Sequence, residues 1–469
     1  MSWMRWLALV ALGLEVALGQ AWATEAKRPN VLFIAIDDLN DWVSCLGGHP
    51  QVSTPNIDRL AKRGLLFTNA HCQAPICNPS RVSLLTGVRP STSGVYDLNQ
   101  PLRGAPALKG AVTLPANFKA GGYHVLGRGK IYHGKPYVDE WHDFEVRPDA
   151  RNKQFRVKPI SRLPKIRVRD FGSIDLPEEQ FGDVINAQWA AESLQRDFGK
   201  PFFMAVGIRL PHVPLYAPQK YFDRHPVKGV TLPRIRPDDL ADLPPAGIEI
   251  TRYMDKTPLN HEAILKTKSW HEAVAAYLAC TEFVDRCVGL MLDSLDKSAH
   301  ANNTIVVLWS DHGWHLGEKQ LWAKRSLWEE STRVPLILAG PGLAKGQCSR
   351  SVQLLDLYPT LAELCHLAKP PQPLEGHSLL PLLRQPSAAW AHPAITTFHR
   401  NDHTVRSERW RYIRYANGDE ELYDHASDAD EWHNLAKRLE YRPVIADLKS
   451  HLPKVNAPNA PNAPNAPSR

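Results

Sequence analysis

Three unbroken runs of apolar, β-favouring residues constrain the fold of this chain more than any other feature. They cover residues 30–36, 201–208 and 304–310. An apolar run without alternation is typical of a parallel strand that is buried on both faces, in a sheet covered by helices on both sides. Helical patterns at 183–197 and 270–295 lie between these runs. The sequence therefore predicts an α/β fold around a central sheet.

Charged and imidazole side chains follow the runs. Asp37 and Asp38 come directly after the first run, and Asp311 and His312 come directly after the third. His212 follows the second run between two prolines. Ligand sites in open α/β sheets lie at the carboxyl ends of strands, so we expect these side chains to lie together. One acidic pair alone is more often a turn than a pair of ligands, but two such elements indicate a site for a hard cation such as Ca²⁺ or Mg²⁺.

A second feature is the stretch Cys-Asn-Pro-Ser-Arg at residues 77–81. Its proline and serine suit the start of a helix, with residues 82–85 as the helix body. Cys77 would then lie at the helix N-terminus, where backbone N–H groups favour negative charge. Arg81, one turn on, faces the same way and can hold an oxyanion with two hydrogen bonds. The pattern predicts an anion site with a reactive atom at its centre; the alternative is a buried free cysteine beside a helix cap.

The pattern Cys-x-Pro-Ser-Arg, followed by Leu-Thr-Gly at 85–87, resembles the signature of the type I sulfatases. Residues 54–61 and 430–436 also resemble this family. The resemblance covers residues 28–436, and within the family the chain most closely resembles the iduronate-2-sulfatase branch. The resemblance implies an alkaline-phosphatase-like α/β fold, with a mixed central sheet flanked by helices and a small C-terminal α+β subdomain. It also implies that a separate formylglycine-generating maturation enzyme converts Cys77 to formylglycine before folding is complete.

The same resemblance implies roles for individual residues. The residues expected to act in catalysis are Cys77, Arg81, Lys130, His133, His212 and Lys324. Those expected to hold or adjoin one divalent ion, Ca²⁺ in preference to Mg²⁺, are Asp37, Asp38, Cys77, Asp311 and His312. Hydrated formylglycine would attack sulfur while Arg81, Lys130 and Lys324 neutralise the sulfate oxygens. His212 would protonate the leaving alcohol, and His133 would act as the base that expels sulfate.

The resemblance further implies a sulfated saccharide as substrate, in the first instance a 2-O-sulfated uronate. Such a ligand needs a flat apolar surface for the sugar face and a second cation for its carboxylate. Trp314 and His315 are the candidates for the surface, with simple packing as the alternative for Trp314. Lys319 or Arg103 is the candidate for the charge.

Several other functions remain open at this point. These are a sulfatase for another sulfated polysaccharide, a phosphoryl hydrolase of the same fold, a non-catalytic binder of sulfated glycans, and a thiol-rich structural protein. A phosphoryl hydrolase would normally use serine or threonine where this chain has Cys77. The seven cysteines become an even set when Cys77 is set apart, and Cys280 and Cys287 lie too far apart on one helix to bridge each other.

The termini predict export and a repetitive tail. Arg5, an apolar stretch and small residues around a cut after Ala23 make residues 1–23 a predicted signal peptide, so we expect a periplasmic or extracellular protein, or a lysosomal one in a eukaryote. The remainder divides into a catalytic domain at 28–370, a C-terminal subdomain at 371–455 and an Asn-Ala-Pro tail at 456–469 that is predicted to be disordered. The apolar stretch is too short to anchor the protein in a membrane, and a net charge of +7 without a long basic block does not indicate nucleic-acid binding.

Overall fold

The computed structural model describes residues 28–145, 158–163, 169–252 and 259–463. The predicted signal peptide at 1–23 lies outside these ranges. Across the described ranges, no helix has the length and apolar character needed to cross a membrane.

Helices and strands alternate along the catalytic part of the chain. The helices are α1 (Pro55–Arg63), α2 (Cys77–Thr86), α3 (Pro90–Ser93), α4 (Leu114–Ala120), α5 (Gly182–Ser193), α6 (Gln219–Phe222), α7 (Pro245–Arg252), α8 (His261–Thr267), α9 (Trp270–Asp296), α10 (Glu329–Thr332), α11 (Leu357–Leu364), α12 (Leu380–Arg384) and α13 (Arg442–Ser450). The strands are β1 (Asn30–Asp37), β2 (Leu65–Phe67), β3 (Ala70–His71), β4 (His124–Gly129), β5 (Asp143–Glu145), β6 (Phe171–Ile174), β7 (Phe202–Pro211), β8 (Leu215–Pro218), β9 (Thr304–Ser310), β10 (His315–Leu316), β11 (Trp322–Ala323), β12 (Leu336–Ala339), β13 (Gly346–Cys348), β14 (Val352–Gln353), β15 (Ala394–Thr397), β16 (His403–Arg406), β17 (Trp410–Arg414) and β18 (Glu420–Asp424).

The central sheet has eight strands in the order β13-β2-β12-β9-β1-β7-β4-β5. The three apolar runs are β1, β7 and β9, which lie side by side and run parallel. Strand β12 is antiparallel to both of its neighbours, β9 and β2. The mixed sheet with helices on both faces confirms the predicted fold class.

The two faces of the sheet support separate hydrophobic cores. Alternate residues of β1 point to opposite sides, with residues 32, 34 and 36 in one core and residues 31, 33 and 35 in the other. Helices α1, α5 and α9 cover the first face, and α2, α4 and α11 cover the second. Burial on both faces explains why the strand sequence is apolar without alternation.

Helix α9, the helix predicted at 270–295, is deeply buried along half of its length. Every residue from Ala273 to Asp285 is buried, because the helix packs against β7 and β8 and is also covered by α1 and α5. The polar side chains in this stretch have specific partners: the Asp285 carboxylate accepts hydrogen bonds from the backbone N–H groups of Asn56 and Ile57. These groups belong to the first turn of α1, which has no acceptor of its own for them.

The C-terminal part contains a separate four-stranded antiparallel sheet in the order β15-β16-β17-β18. Helix α13 packs on it around a small core that includes Val405, Tyr412, Leu422 and Ile445. The chain between residue 371 and this sheet packs against the catalytic part, since α12 contributes to the second core. A domain boundary at 370/371 therefore stays a prediction.

The described part of the Asn-Ala-Pro tail, residues 456–463, differs from the predicted disorder. Its alanines donate backbone hydrogen bonds to residues 91–99: Ala457 to Ser91 at 2.7 Å, Ala460 to Gly94 at 2.8 Å and Ala463 to Asn99 at 2.8 Å. A repeat of this composition cannot form a core of its own. It is ordered here because every third residue is a small side chain that fits against the catalytic part.

Candidate functional site

Four adjacent strands bring polar side chains to one edge of the central sheet. Asp37 is the last residue of β1, while Asp311 follows β9, His212 follows β7 and Lys130 follows β4. These strands are neighbours in the order β9-β1-β7-β4. Because they run parallel, their carboxyl ends meet, and residues far apart in sequence share one site.

Cys77 lies at the centre of this site, as the first residue of α2, with 1% of its surface exposed. Four side-chain atoms surround its Sγ: Lys324 Nζ at 3.1 Å, His312 Nε2 at 3.3 Å, Lys130 Nζ at 3.7 Å and Asp38 Oδ1 at 3.9 Å. The nearest three are nitrogen atoms, and the helix N-terminus adds further positive potential. The position therefore favours a negatively charged or strongly polar group.

Two side chains of α2 fix the start of this helix in the site. Ser80 Oγ donates to the carbonyl oxygen of Asp311 at 2.6 Å. Asn78 Nδ2 donates to the carbonyl oxygens of Asp97 at 2.8 Å and Gln100 at 2.7 Å. Position 77 is thereby held between the sheet edge and the segment around residue 100.

Arg81 orients the carboxylates and does not present a free fork to a ligand. Its Nε donates to Asp311 Oδ2 at 2.8 Å, and one terminal nitrogen lies 3.2 Å from Asp37 Oδ1. The other terminal nitrogen donates to the carbonyl oxygens of Lys130 and Ile131. If Arg81 held an oxyanion with two hydrogen bonds, as the sequence predicts, these bonds would have to break. The structure therefore does not support that prediction for Arg81.

The charges in the site shift the pKa values of its acids in different directions. Burial opposes ionisation of the Cys77 thiol, but the ammonium groups of Lys130 and Lys324 outweigh burial and hold its pKa well below the usual value. Burial also opposes ionisation of Asp37, whose pKa nevertheless lies well below its usual value because of Lys130 above all. Burial raises the pKa of Asp38 to about 7 in spite of Lys324. Asp37 is thus the firmly ionised member of the acidic pair.

The acidic residues form a set that fits a hard cation. The candidate ligand atoms of Asp37, Cys77, Asp311 and His312 all lie within 4.8 Å of one another. Asp38 adjoins them, with its Oδ1 3.3 Å from His312 Nε2. Its other oxygen, Oδ2, is buried without a hydrogen-bond partner among the described residues. Carboxylate oxygens with one unmatched acceptor suit Ca²⁺ or Mg²⁺, while an imidazole is an uncommon ligand of either ion.

The two histidines of the site both present an unprotonated nitrogen to it when neutral. His212 Nδ1 lies 2.6 Å from the carbonyl oxygen of Val213, and His312 Nδ1 lies 3.0 Å from that of Gly313. A carbonyl oxygen can only accept, so each Nδ1 carries the proton of the neutral ring and each Nε2 is unprotonated. The Nε2 atoms are the ones that face the site. Burial, followed by Lys130, holds the pKa of His212 well below its usual value. A proton-donor role for His212 therefore requires a bound anion that raises this pKa.

His133 lies apart from the cluster around Sγ, on the wall of an adjoining cavity of about 460 Å³. Arg81 and Tyr137 line the same cavity. The Nδ1 atom of His133 is buried and has no hydrogen-bond partner within the described part of the chain. The cavity thus borders the site on the side of Arg81, and the role of His133 as a base stays a prediction.

Trp314 and His315 do not form a surface for a sugar ring, and this prediction is wrong. Their exposed fractions are 2% and 0%. The indole of Trp314 lies under the Lys324 ammonium, 5.6 Å from Nζ to the ring centroid, and His315 Nε2 lies 2.7 Å from Ser326 Oγ. Beyond Asp311 the chain turns inward, so both rings support the site from behind.

The two predicted cations for a substrate carboxylate are also engaged elsewhere. Lys319 is 3% exposed, and its Nζ bonds Asp239 Oδ1 at 2.5 Å. Arg103 pairs with Glu140, and its guanidinium lies over the ring of Tyr137 at 5.5 Å from the centroid. Lys319 is therefore a structural residue, whereas Arg103 lies beside a residue that lines the cavity.

One supporting residue of the site had no signal in the local sequence. The hydroxyl of Tyr277, in the middle of α9, donates to the carbonyl oxygen of Asp38 at 2.8 Å and accepts from the backbone N–H of Asn40 at 2.9 Å. Asp38 has a positive φ of 63°, which is uncommon for a residue other than glycine. Tyr277 stabilises this conformation from a helix more than two hundred residues away in sequence.

Comparisons with known proteins agree with the fold and the motif. A sequence model of the Sulfatase family matches residues 29–367, and one described as the C-terminal region of N-sulphoglucosamine sulphohydrolase matches residues 317–458. A sulfatase of Formosa agariphila is 40% identical, covering 92% of this chain and 88% of its own. The iduronate 2-sulfatase of Homo sapiens is 32% identical, covering 78% of this chain and 74% of its own. A solved structure of a 2-O GAG sulfatase shares the fold, with a TM-score of 0.68 and 24% identity over 90% of this chain and 91% of that one.

Proposed function

Because this chain belongs to the sulfatase family and is a sulfuric ester hydrolase, we propose that it removes sulfate from a sulfated saccharide at residue 77. The observation that carries the assignment of the site is the ring of nitrogen atoms around Cys77 Sγ, with Lys324 at 3.1 Å and Lys130 at 3.7 Å. In the mature protein the thiol would be replaced by formylglycine. Formylglycine supplies a hydrated aldehyde, whose hydroxyl oxygen attacks sulfur and whose second hydroxyl allows sulfate to be released.

The charge balance of the site supports an anionic substrate. Three buried carboxylates face three cationic side chains: Asp37, Asp38 and Asp311 against Arg81, Lys130 and Lys324. A divalent ion held by the three carboxylates would add two positive charges to this balanced set. An anionic sulfate ester would offset part of that excess.

Lys130 and Lys324 differ from Arg81 in their proposed role. Lys130 and Lys324 reach Sγ and also the acidic pair, so both lie where the oxygens of a bound sulfate would be. We infer that they neutralise those oxygens as charge develops on them. Arg81 is a positioning residue, since its hydrogen bonds hold Asp37 and Asp311 in place.

We assign the proton transfers to His212 and His133. His212 Nε2 faces the site and lies 4.0 Å from Asp38 Oδ2. Binding of an anionic ester would offset the influence of Lys130 and raise the pKa of His212, which allows it to protonate the leaving alcohol. His133, on the cavity side, is our candidate for the base that accepts the proton when sulfate is released.

The substrate class follows from the relatives and not from the geometry. Two of the matched proteins, an iduronate 2-sulfatase and a 2-O GAG sulfatase, are named for sulfate at position 2. We therefore propose a 2-O-sulfated uronate as the first candidate substrate, with another sulfated polysaccharide as the second. We also infer that the protein is exported and that a maturation enzyme modifies Cys77 before the chain closes over it, because its folded exposure is only 1%.

The test is sulfate release by protein that has been produced together with a formylglycine-generating enzyme. Mass spectrometry of the peptide containing residue 77 first establishes the aldehyde. Rates are then compared on a 2-O-sulfated uronate disaccharide, a 6-O-sulfated hexosamine, an aryl sulfate and a phosphate monoester, with and without a chelator. We expect the uronate to be fastest, the chelator to abolish turnover, and Cys77→Ala to be inactive.

Each part of the proposal can fail separately. A preference for the 6-O-sulfated hexosamine would contradict the uronate as substrate but would leave the assignment as a sulfatase unchanged. Full activity of a protein whose residue 77 remains a thiol would contradict the role of formylglycine. Undiminished activity in the presence of a chelator would contradict the requirement for a metal ion.

A further inference from the structure

The ordered part of the repetitive tail makes regular contacts that the proposed reaction does not use. We call residues 456–463 the tail strap. Besides the three N–H bonds of its alanines, the carbonyl of Ala457 accepts from the Tyr96 hydroxyl at 2.9 Å, and that of Ala460 accepts from Gln100 Nε2 at 3.0 Å. Ala460 is 5% exposed, whereas the intervening prolines and asparagines at 458, 459, 461 and 462 are exposed. Apart from Asn456, which contacts Arg400 and His403, the strap is thus bound through one residue in every three.

The strap ends at the cavity that borders the site. Ala463 lines this 460 Å³ space together with Arg81 and His133, and its N–H bonds the carbonyl of Asn99 on the same wall. Gly94 permits this close approach, because a Cβ atom there would lie 2.3 Å from the Pro458 carbonyl oxygen. The tail is therefore part of the cavity wall and not an appendage beside it.

The lining of this cavity is suited to an anionic sugar. None of its described lining residues is aspartate or glutamate, whereas Lys135 is cationic; the guanidinium of Arg81 is already paired with Asp37 and Asp311. Tyr132 and Tyr137 supply aromatic rings, which present flat faces to sugar rings. The larger cavity of about 630 Å³ near the C-terminal sheet is less suited, because its lining has six Asp or Glu residues against three Arg residues.

We propose that the tail strap forms one wall of a subsite for the saccharide that carries the sulfate ester, and that Ala463 is a specificity-determining residue of this subsite. This inference rests on the proposed function. The sugar would lie between the aromatic rings of the cavity and the strap, with Lys135 facing an anionic substituent. Ala463 contributes shape and the absence of charge, so its replacement by an anionic side chain opposes the ligand.

The test uses the full-length, formylglycine-containing enzyme and three substitutions in the strap. Ala463→Glu places a carboxylate at the cavity wall. Ala463→Gln has the same size without the charge, and Asn462→Glu places the same charge on the adjacent exposed residue. We expect Ala463→Glu to raise KM for a sulfated disaccharide on the order of tenfold with little change in kcat, Ala463→Gln to raise it less, and Asn462→Glu to leave it unchanged. Thermal unfolding midpoints should agree among all four proteins.

Each outcome decides a separate point. Equal KM values for Ala463→Glu and Asn462→Glu would overturn the strap as a wall of the subsite. Equal increases for Ala463→Glu and Ala463→Gln would overturn the anionic character of the ligand. If the parent enzyme releases sulfate from no saccharide, the proposed function itself fails, and this inference with it.

Discussion

At the scale of single residues, two lysines determine the ionisation of position 77. Lys324 and Lys130 lie 3.1 and 3.7 Å from the sulfur of Cys77, a residue that is buried in the folded protein. Their charges act over short distances at low effective dielectric, so they outweigh the cost of burying a thiolate. The same charges would act on a sulfate in the mature enzyme.

A thiol titration of unmodified protein tests this electrostatic field. In protein made without the maturation enzyme and freed of metal, we expect Cys77 to be a thiolate at neutral pH, since its pKa lies well below the usual value. Lys324→Met removes the nearer ammonium and should raise this pKa. The ultraviolet absorbance of the thiolate measures both, and Cys77→Ser should abolish the signal. Burial raises the pKa of Cys45 and Cys365 to about 12, so they remain silent in this range. Titration of Cys77 at the usual value of a free thiol would contradict the argument.

At the scale of elements, a buried carboxylate joins α5 to the end of β7. Asp183 is 2% exposed and accepts backbone hydrogen bonds from Arg209 at 2.8 Å and Leu210 at 2.9 Å. These bonds hold the strand end from which His212 reaches the site. Burial nevertheless raises the pKa of Asp183 to about 6.

This carboxylate predicts a specific dependence of stability on pH. Between its usual pKa near 4 and its folded value of about 6, the folded state keeps a proton that the unfolded state has lost. Rising pH in this window therefore favours the unfolded state, by a total on the order of 3 kcal/mol. Urea unfolding of the parent and of Asp183→Asn, measured from pH 4 to pH 7, should give a difference in free energy of unfolding that changes in this direction. A difference that is constant with pH would contradict the assignment.

The elements with strong local signals were the ones that the sequence predicted well. The run at 304–310 coincides with β9, and the helix expected at 270–295 is α9 with one further residue. The acidic pairs at the strand ends did converge, because parallel strands leave little freedom for their carboxyl ends. Local sequence could not show that the chain turns Trp314 inward, since an aromatic residue after a strand suits a surface and a core equally. It also could not show that the tail is bound, because the groove that receives it is formed by residues 91–100.

At the scale of the whole molecule, buried ion pairs attach the C-terminal sheet to the catalytic part. Arg411 on β17 is 0% exposed and pairs with Glu329 of α10 and with Glu431. The Glu431 carboxylate in turn accepts from the backbone N–H of Glu329 at 2.9 Å. The C-terminal sheet and the catalytic part therefore share one buried charged network.

Removal of one member of this network should destabilise the entire protein. Arg411→Met removes a buried guanidinium from two carboxylates, of which Glu329 keeps Arg406 and Glu431 keeps His425, so we expect a cost of up to about 3–5 kcal/mol. Arg409→Met removes the pair between the solvent-exposed guanidinium of Arg409 and the carboxylate of Asp424, and should destabilise the protein much less than Arg411→Met does. Urea unfolding followed by tryptophan fluorescence measures both, and we expect a single transition in each case. A separate early transition in Arg411→Met would show that the C-terminal sheet unfolds independently.

The period of the tail strap has a genetic consequence. Because the strap is bound through alanines spaced by three, and because the repeat continues beyond residue 463, a chain that has lost one Asn-Ala-Pro unit still offers an alanine at each of the three bonded positions. Repeated codons gain and lose whole units when the DNA is copied. After the gain or loss of one Asn-Ala-Pro unit, each bonded position of the strap is still occupied by the same type of residue. Related genes can therefore differ in tail length without a change in the wall of the cavity.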